Sequence, residues 1–549
     1  MDNYDIAKQF SLLSKLMEVH GENAFKAKSY SIAAYNIERI PQDISSLSRE
    51  ELFAQKGIGA SIGKGILEIL ETGHLKALQE YMEKTPPGIL EIMQIKGLGP
   101  KKVHVIWKEM EIESPGELLH ACTENRLARY KGFGEKTQKN IEEAILFLMK
   151  NKGRMLYAEA EPAFEKMQKT LAELFPVERF SITGKFRRQM PVIDTLDWVI
   201  TVSPEILEEK LSTLGFEVHE KGAGFLYLKQ ENSPMHRFYS VLPENFFEKL
   251  FQSSASAEFL EKWNAEKLPY TPNPVSEEEI FEKAGIPFII APLRESFNKN
   301  KPYPDASSLI QTSDIKGIIH SHSTWSDGSH SIEKMARAAM EKGYEYLVIS
   351  DHSKSAFYAN GLKEDRIAEQ HREIDDLNKK LAPFKIFKSI ESDILYDGSL
   401  DYSDEVLASF DLVIASVHSI LKMNEEKAMS RLMAAIENPY TTILGHMTGR
   451  LLLSRPGYPV NHHAIIDACV KNNVVIELNA NPRRLDIDWQ YLEYALEKGA
   501  MISINPDAHE VDEFDYVKYG VLAAQKGGLT PPRNLSSMGL KEFEAFIHR

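Results

Sequence analysis

Between Asp314 and His509 the chain runs seven apolar stretches, and six of them deliver a His, Asp or Glu at or just past their end. IKGIIHSHSTWSDG places His320, His322 and Asp327 together, and YLVISDH supplies Asp351 and His352. FKIFKSIESD carries Glu391 and Asp393, DLVIASVH ends at His418, TTILGH at His446, and MISINPDAH at Asp507 and His509. Only VVIELNANP breaks the pattern, ending on Asn479 and Asn481. A barrel of parallel strands gathers residues from successive strand ends at its C-terminal face. Imidazole and carboxylate are ligands for Zn²⁺, Mn²⁺ and Fe²⁺. The pattern therefore predicts a multinuclear metal site and a hydrolase.

A lone His after a strand is ordinarily a core or surface residue, and His74, His104, His330, His462 and His463 are read that way. Six of seven runs ending alike are not explained so simply. His320 and His322, at i and i+2 leaving a strand, can converge on one ion.

At 549 residues the chain is too long for one core. Its two cysteines, Cys122 and Cys469, form no CxxC pair, which excludes a disulfide framework and fits a reducing compartment. The start, MDNYDIAKQF, has no apolar signal-peptide core. No apolar run approaches the roughly 20 residues of a membrane span. The expectation is a cytoplasmic protein with no membrane partner, acting as a monomer. The net charge is −15, of which residues 1–150 contribute only −1. That acidity argues against nonspecific coating of DNA and leaves modular contact open.

Residues 1–150 are mostly helical by pattern, and one element recurs. Lys56-Gly57-Ile58-Gly59, Lys96-Gly97-Leu98-Gly99 and Lys131-Gly132-Phe133-Gly134 each open an amphipathic helix. The glycines permit φ > 0, and the new helix offers free N–H groups and a positive dipole to an anion. Lys64, Lys101, Lys102, Lys136 and Lys139 follow within a few turns and can add charged phosphate contacts. This is the helix-hairpin-helix pattern, which grips the DNA backbone without reading bases. Glu135 weakens the third copy, because it places an acid where phosphate would lie.

Together with NAFKAKSYSIAA, SEEEIFEKAGIPFI, ILGHMTGRLL and ELNANPRRLD, these two ends make the whole chain resemble the bacterial X-family DNA polymerases that carry a C-terminal PHP domain. The resemblance implies a multidomain fold. Residues 1–80 would form a lyase-like helical domain with the first hairpin, and 81–150 the second and third hairpins. An α+β nucleotidyltransferase-like palm would span 151–242, a thumb-like remnant and linker 243–310, and a distorted seven-stranded β/α barrel 311–549.

The middle departs from the family. SITGKFRRQMPVIDTLDWVITV keeps Gly184, Arg187 and Arg188, but Lys185 replaces the serine of the Gly-Ser turn. The Asp-x-Asp strand becomes Thr195-Leu196-Asp197, and hand alignment puts Arg237 at the third acidic position. Two Mg²⁺ ions need several oxygen anions. A register slip cannot recruit Asp194, since adjacent strand residues point to opposite faces. The expectation is a degenerate palm without polymerisation. Lyase chemistry is disfavoured too: Gly65 stands at the Schiff-base lysine position, and Lys64 is rotated about 100° from it.

For the barrel, the resemblance implies three divalent ions, Mn²⁺ or Zn²⁺, with Fe²⁺ an alternative. His320, His322, Glu391 and Asp507 would hold one. Glu391 would bridge to a second held by His418 and His446. Asp327, His352 and His509 would hold the third. Asp351 and Asp393 are candidates to orient ligand imidazoles, and Arg450, Arg483, Arg484 and Lys354 to clamp phosphate. The function expected is a metal-dependent phosphodiesterase acting on 3′ ends of gapped or nicked DNA in repair. The alternatives are an active gap-filling polymerase with exonuclease, an abasic-site endonuclease, a small-molecule phosphatase and a noncatalytic DNA scaffold.

Overall fold

The computed structural model of the protein describes residues 1–549 except 1, 41, 56, 124, 125, 152, 231, 232, 270 and 549. Lys56, at the head of the first hairpin, therefore lies outside the described residues. The chain divides into two compact units, residues 1–152 and 153–549.

The first unit is helical, with two apolar cores. One gathers Ile6, Phe10, Leu13, Met17, Ile37 and Ile66; the other gathers Ile89, Val103, Ile106, Leu118, Phe133 and Ile145. Each glycine hairpin is built as its sequence demands. Gly57, Gly97 and Gly132 take φ of +87°, +92° and +94°, a region that a side chain disfavours. The apolar residue between each pair of glycines (Ile58, Leu98 or Phe133) is buried. The helices that follow are Ala60–Thr72, Pro100–His104, which continues through a π turn over Val105–Glu109, and Glu135–Asn151.

The second unit holds two sheets that matter for function. The first is five-stranded: β1 (Phe180–Thr183), β2 (Thr195–Ile200), β3 (Glu217–Gly222), β4 (Phe225–Lys229) and β5 (Met235–Ser240). Its order is β1-β2-β5-β4-β3, and only β2 and β5 run parallel. Trp198, Phe238, Leu226, Leu207 and Leu211 pack beneath it.

The second sheet is the barrel. Its seven strands are β6 (Gly317–Ile318), β7 (Tyr346–Ile349), β8 (Lys385–Asp393), β9 (Leu412–Ser416), β10 (Ile443–Leu444), β11 (Val475–Asn479) and β12 (Ile502–Asn505). They pair in sequence order and all run parallel. A bridge between Ser321 and Ala508 brings the outer edges together, with His322 N–H donating to the Ala508 carbonyl at 2.8 Å. Nearly every strand residue is buried. That is why the strands read as unbroken apolar runs rather than alternating ones: both faces of a parallel sheet are covered. Helices such as Ile332–Glu341, Glu425–Ile436 and Val517–Lys526 turn their buried faces to this core. Among the described residues, no helix is long and apolar enough to cross a membrane.

Candidate metal centre

Parallel strands put their C-terminal ends on one rim, and the ligand-type side chains stand there. His320, His418, His446 and Asp507 each lie two residues past a strand end, His352 lies three past, and Glu391 sits inside β8, two residues before its end. The Glu391 carboxylate is the hub. Its Oε1 lies 3.3 Å from His320 Nε2, 3.1 Å from His418 Nε2 and 3.1 Å from His446 Nε2. Its Oε2 lies 2.9 Å from His352 Nδ1 and 3.7 Å from His322 Nε2. Asp507 Oδ1 approaches His320 Nε2 at 3.3 Å and His322 Nε2 at 3.1 Å. Asp327 faces His352 Nε2 at 3.6 Å and His509 Nε2 at 3.5 Å.

Three groups have the ligand atoms close enough to share an ion: His320–His322–Glu391, His352–Glu391–His418, and His322–Asp327–His352–His509. These groups overlap where the division that the resemblance implies is clean: His322 and His352 each stand in two of them, the His352 ring with Nδ1 toward Glu391 and Nε2 toward Asp327.

The donor chemistry fits cations. Both Glu391 oxygens, His320 Nε2, His322 Nδ1, His352 Nδ1 and both His446 nitrogens are buried without a hydrogen bond. Buried polar atoms are rarely left so, and electron pairs that converge without hydrogen-bond geometry suit a coordinated metal. Charge argues likewise. Burial would pull the His320 imidazole down, but Asp507, Glu477 and Glu391 outweigh it and raise it well above the ordinary value. Glu391 and Asp393 overcome burial to raise His418 to about 10, and Asp327 and Asp507 raise His509 to about 9. His322, buried and beside His509 and His352, falls to about 3. The imidazolium charges offset buried carboxylates, a task that divalent ions would take over.

A second layer of contacts aims these ligands. Asp393 Oδ1 accepts from His418 Nδ1 at 2.6 Å. Glu477 does the same for His320: its Oε1 lies 2.6 Å from His320 Nδ1, and its Oε2 accepts from the His446 backbone N–H at 2.7 Å. Asn505 Nδ2 donates to Glu477, and Asn479 Nδ2 donates to Glu477 and Asp507. Sequence reasoning missed Glu477 because it looked at the tip of VVIELNANP. The available signal was a carboxylate inside an otherwise apolar strand. His320 and Asp507 also take φ of +65° and +54°. Such backbone costs about 1–3 kcal/mol at a residue with a side chain and concentrates at functional sites.

Four sequence expectations change. Asp351 reaches no imidazole; it accepts from Ser323 N and Oγ, Ser326 N and Oγ, and Gln370 Nε2, and so braces the loop before Asp327. Arg450 is no free phosphate clamp, because its guanidinium is occupied by Asp488 and by the carbonyls of Arg484 and Leu485. Arg483 is exposed and turned toward Glu159, 3.9 Å away. Lys354 pairs with Glu364 at 2.6 Å. Of the four phosphate candidates Arg450, Arg483, Arg484 and Lys354, Arg484 faces the centre, with Nε 3.4 Å from Asp507 Oδ2. The residues read as non-ligands stay outside the cluster; His462, for one, stacks on Tyr491 at 3.8 Å.

In the five-stranded sheet, Asp197 and Arg237 are direct neighbours on the parallel strands β2 and β5. Arg237 Nε and Nη2 donate to the two Asp197 oxygens, each at 2.8 Å, and Thr195 Oγ1 donates to Oδ1 at 2.8 Å. Lys185 holds Asp194 at 2.6 Å. Gly184 packs so closely that a Cβ there would come within 2.2 Å of Asp197 Oδ2. Arg187 is bonded to Ser254 and Glu277, and Arg188 to Glu295. Each acid here is matched by a base.

In the first unit, Gly59 and Gly99 serve as the caps before their helices and, with Gly134, leave open space where a ligand can approach backbone. Lys64, Lys101, Lys136 and Lys139 are exposed, while Lys102 lies over the Phe133 ring at 5.6 Å. Gly65 is buried against Phe10 and Leu75.

Comparison with known proteins agrees with this layout. Residues 1–75 match the helix-hairpin-helix domain, and residues 89–145 match a SAM-like helix-hairpin-helix tandem. Over its whole length, and the whole of the relative, the chain is 33% identical to the DNA polymerase/3′-5′ exonuclease PolX of Bacillus subtilis. The chain belongs to the bacterial X-family DNA polymerases with a PHP domain. More distant relatives are probable phosphatases: one of Thermoanaerobacter is 25% identical over 38% of this chain and 86% of its own. One of Acetivibrio thermocellus is 28% identical over 42% of this chain and 94% of its own.

Proposed function

We propose that the protein is a metal-dependent DNA phosphodiesterase that removes nucleotides or blocked termini from 3′ ends in repair, and that its palm no longer polymerises. The observation that carries the reading is the contrast between the two sheets. Around Glu391 several buried atoms, both of its carboxylate oxygens among them, lack hydrogen bonds and converge; around Asp197 the one carboxylate left on the strand is neutralised bidentately by Arg237.

His320, His322, Glu391 and Asp507 would hold one divalent ion; Glu391, His418 and His446 a second; and Asp327, His352 and His509 a third, with His352 also reaching toward Glu391. Such ions acidify water and neutralise phosphate charge. The chain's own residues do the rest. Glu477 and Asp393 fix the tautomers of His320 and His418, leaving the opposite nitrogens toward Glu391. Arg484 offers a guanidinium to a phosphate oxygen. Asp351 holds the Ser323–Ser326 loop so that Asp327 keeps its place. The hairpin lysines Lys64, Lys101, Lys102 and Lys136, with the glycine-capped helix starts, grip the DNA backbone. The polymerase and 3′-5′ exonuclease activities for which the Bacillus subtilis relative is named support the substrate class.

The test is a primer with a recessed 3′ end in a gapped duplex, incubated with Mn²⁺ and all four dNTPs. Shortening without extension is expected. Extension beyond the primer would instead support a gap-filling polymerase.

A further inference from the structure

The loop after β7 begins on the candidate ligand His352, closes at Leu362, and carries two rings that its own packing leaves outside. Ser353 bridges Leu362, Leu362 N–H donates to the His352 carbonyl at 2.8 Å, and Ser353 N–H donates to the Glu391 carbonyl at 3.1 Å. Ser355 N and Oγ each donate to Asp401 at 2.6 Å. At the far side, Asn360 Nδ2 donates to the Trp325 carbonyl at 3.2 Å, two residues from Asp327, and Arg366 binds both carbonyls there. Ala356 and Ala359 are buried. The segment is thus anchored on both sides of its tip.

At that tip Phe357 is 85% exposed and Tyr358 63% exposed, with ring centroids 5.9 Å apart and planes 78° apart. Burial, with the charges of Asp393, Glu391 and Asp327, raises the Tyr358 hydroxyl to about 12, and Arg484 opposes the rise. The segment that carries the pair is tied at one end to the His352 carbonyl and at the other to the Trp325 carbonyl, two residues before Asp327, so the pair stands at the rim of the metal centre. A rigid loop has no packing reason to hold two aromatic faces in water beside a charged cleft. A nucleobase is the apolar, planar group that accompanies a phosphate into such a place, one sugar away from it.

We propose that Phe357 and Tyr358 form a stacking platform for the base of the 3′-terminal nucleotide whose phosphate lies in the Glu391 centre. The inference rests on the proposed phosphodiesterase reading and adds its substrate requirement: any base is accepted, since every base has a π face, but a terminus without a base is held poorly.

Two measurements test it. In the first, kcat and KM are compared for gapped duplexes ending in adenosine or in an abasic tetrahydrofuran nucleotide. Wild type should prefer the base-bearing end by about 5- to 150-fold, the range that base–aromatic stacking supplies, mostly through KM. The double variant F357A/Y358A should lose that preference, and Tyr358→Phe should keep it. An equal preference in wild type and double variant would overturn the platform. In the second, a duplex carrying 5-iodouracil on its 3′ nucleotide, joined by a slowly cleaved phosphorothioate, is irradiated on the Mn²⁺-loaded protein. Cross-links at Phe357 or Tyr358 support the platform, and cross-links only elsewhere refute it. If the cross-link forms there while wild type shortens no 3′ end, the platform stands and the hydrolytic reading fails. If shortening proceeds while cross-links map elsewhere, the platform fails alone.

Discussion

Glu477 Oε1 stands 2.6 Å from His320 Nδ1, with both side chains buried in the barrel. This carboxylate sets which His320 nitrogen turns to Glu391 and Asp507. Outer partners of this kind typically contribute 10- to 100-fold in metal affinity. Glu477→Gln, which keeps the shape and loses the charge, should weaken Mn²⁺ binding by about that factor in calorimetry. Unchanged affinity would remove Glu477 from the site's design.

Metal binding should release protons and strengthen with pH. His418 and His509 are raised to about 10 and about 9, so both carry protons at pH 7 in the metal-free protein. A cation must displace those protons, and the competition fades as pH climbs toward 9 and 10. His322, lowered to about 3, is already neutral and releases none. Calorimetry of Mn²⁺ binding in buffers of different ionisation enthalpy should count net proton release at pH 7; proton uptake would contradict the assignment.

Two neighbouring arginines should behave differently. Arg450 ties the 484–488 segment together through Asp488 and two carbonyls. Arg450→Ala should lower the urea midpoint, at a cost of about 1–3 kcal/mol for the acceptors left without partners. Arg484 approaches Asp507 from the rim, so Arg484→Ala should raise KM for DNA while the urea midpoint stays near wild type. A reversed pattern would mean that the two roles have been exchanged.

In the palm, Arg237→Ala would strand the Asp197 carboxylate in a largely buried position. Breaking a buried pair on one side costs about 3–5 kcal/mol, and the partial exposure of Arg237 places the expected loss toward the lower end. Denaturant melting of the second unit would register it. A variant as stable as wild type would mean that Asp197 is solvated or protonated, and that the pair does not lock the strands.

The clustering of His, Asp and Glu side chains was legible because the parallel topology repeats: each apolar run ends on the same rim, so residues just past the strand ends are brought near one another. The Asp197–Arg237 pairing was legible because strand register carries an alignment directly into space. What lay beyond reach depended on long-range geometry. Glu477 looked like an intruder in an apolar run until His320, 157 residues away in sequence, supplied its partner. Asp351 and Arg450 stand next to strand ends just as the candidate ligands do, and nothing local distinguishes a side chain turned to the centre from one that braces a loop. His352 was given to one ion because a sequence does not say which ring nitrogen faces which carboxylate.

The central claim is that the Glu391-centred cluster is the protein's hydrolytic centre. It is tested most directly with an end-labelled gapped duplex and Mn²⁺, comparing wild type with His320→Ala and Glu391→Ala. The account expects wild type to shorten the 3′ end and both variants to lose that activity by several orders of magnitude, with their binding to the duplex retained. Cleavage by both variants at the wild-type rate would contradict it.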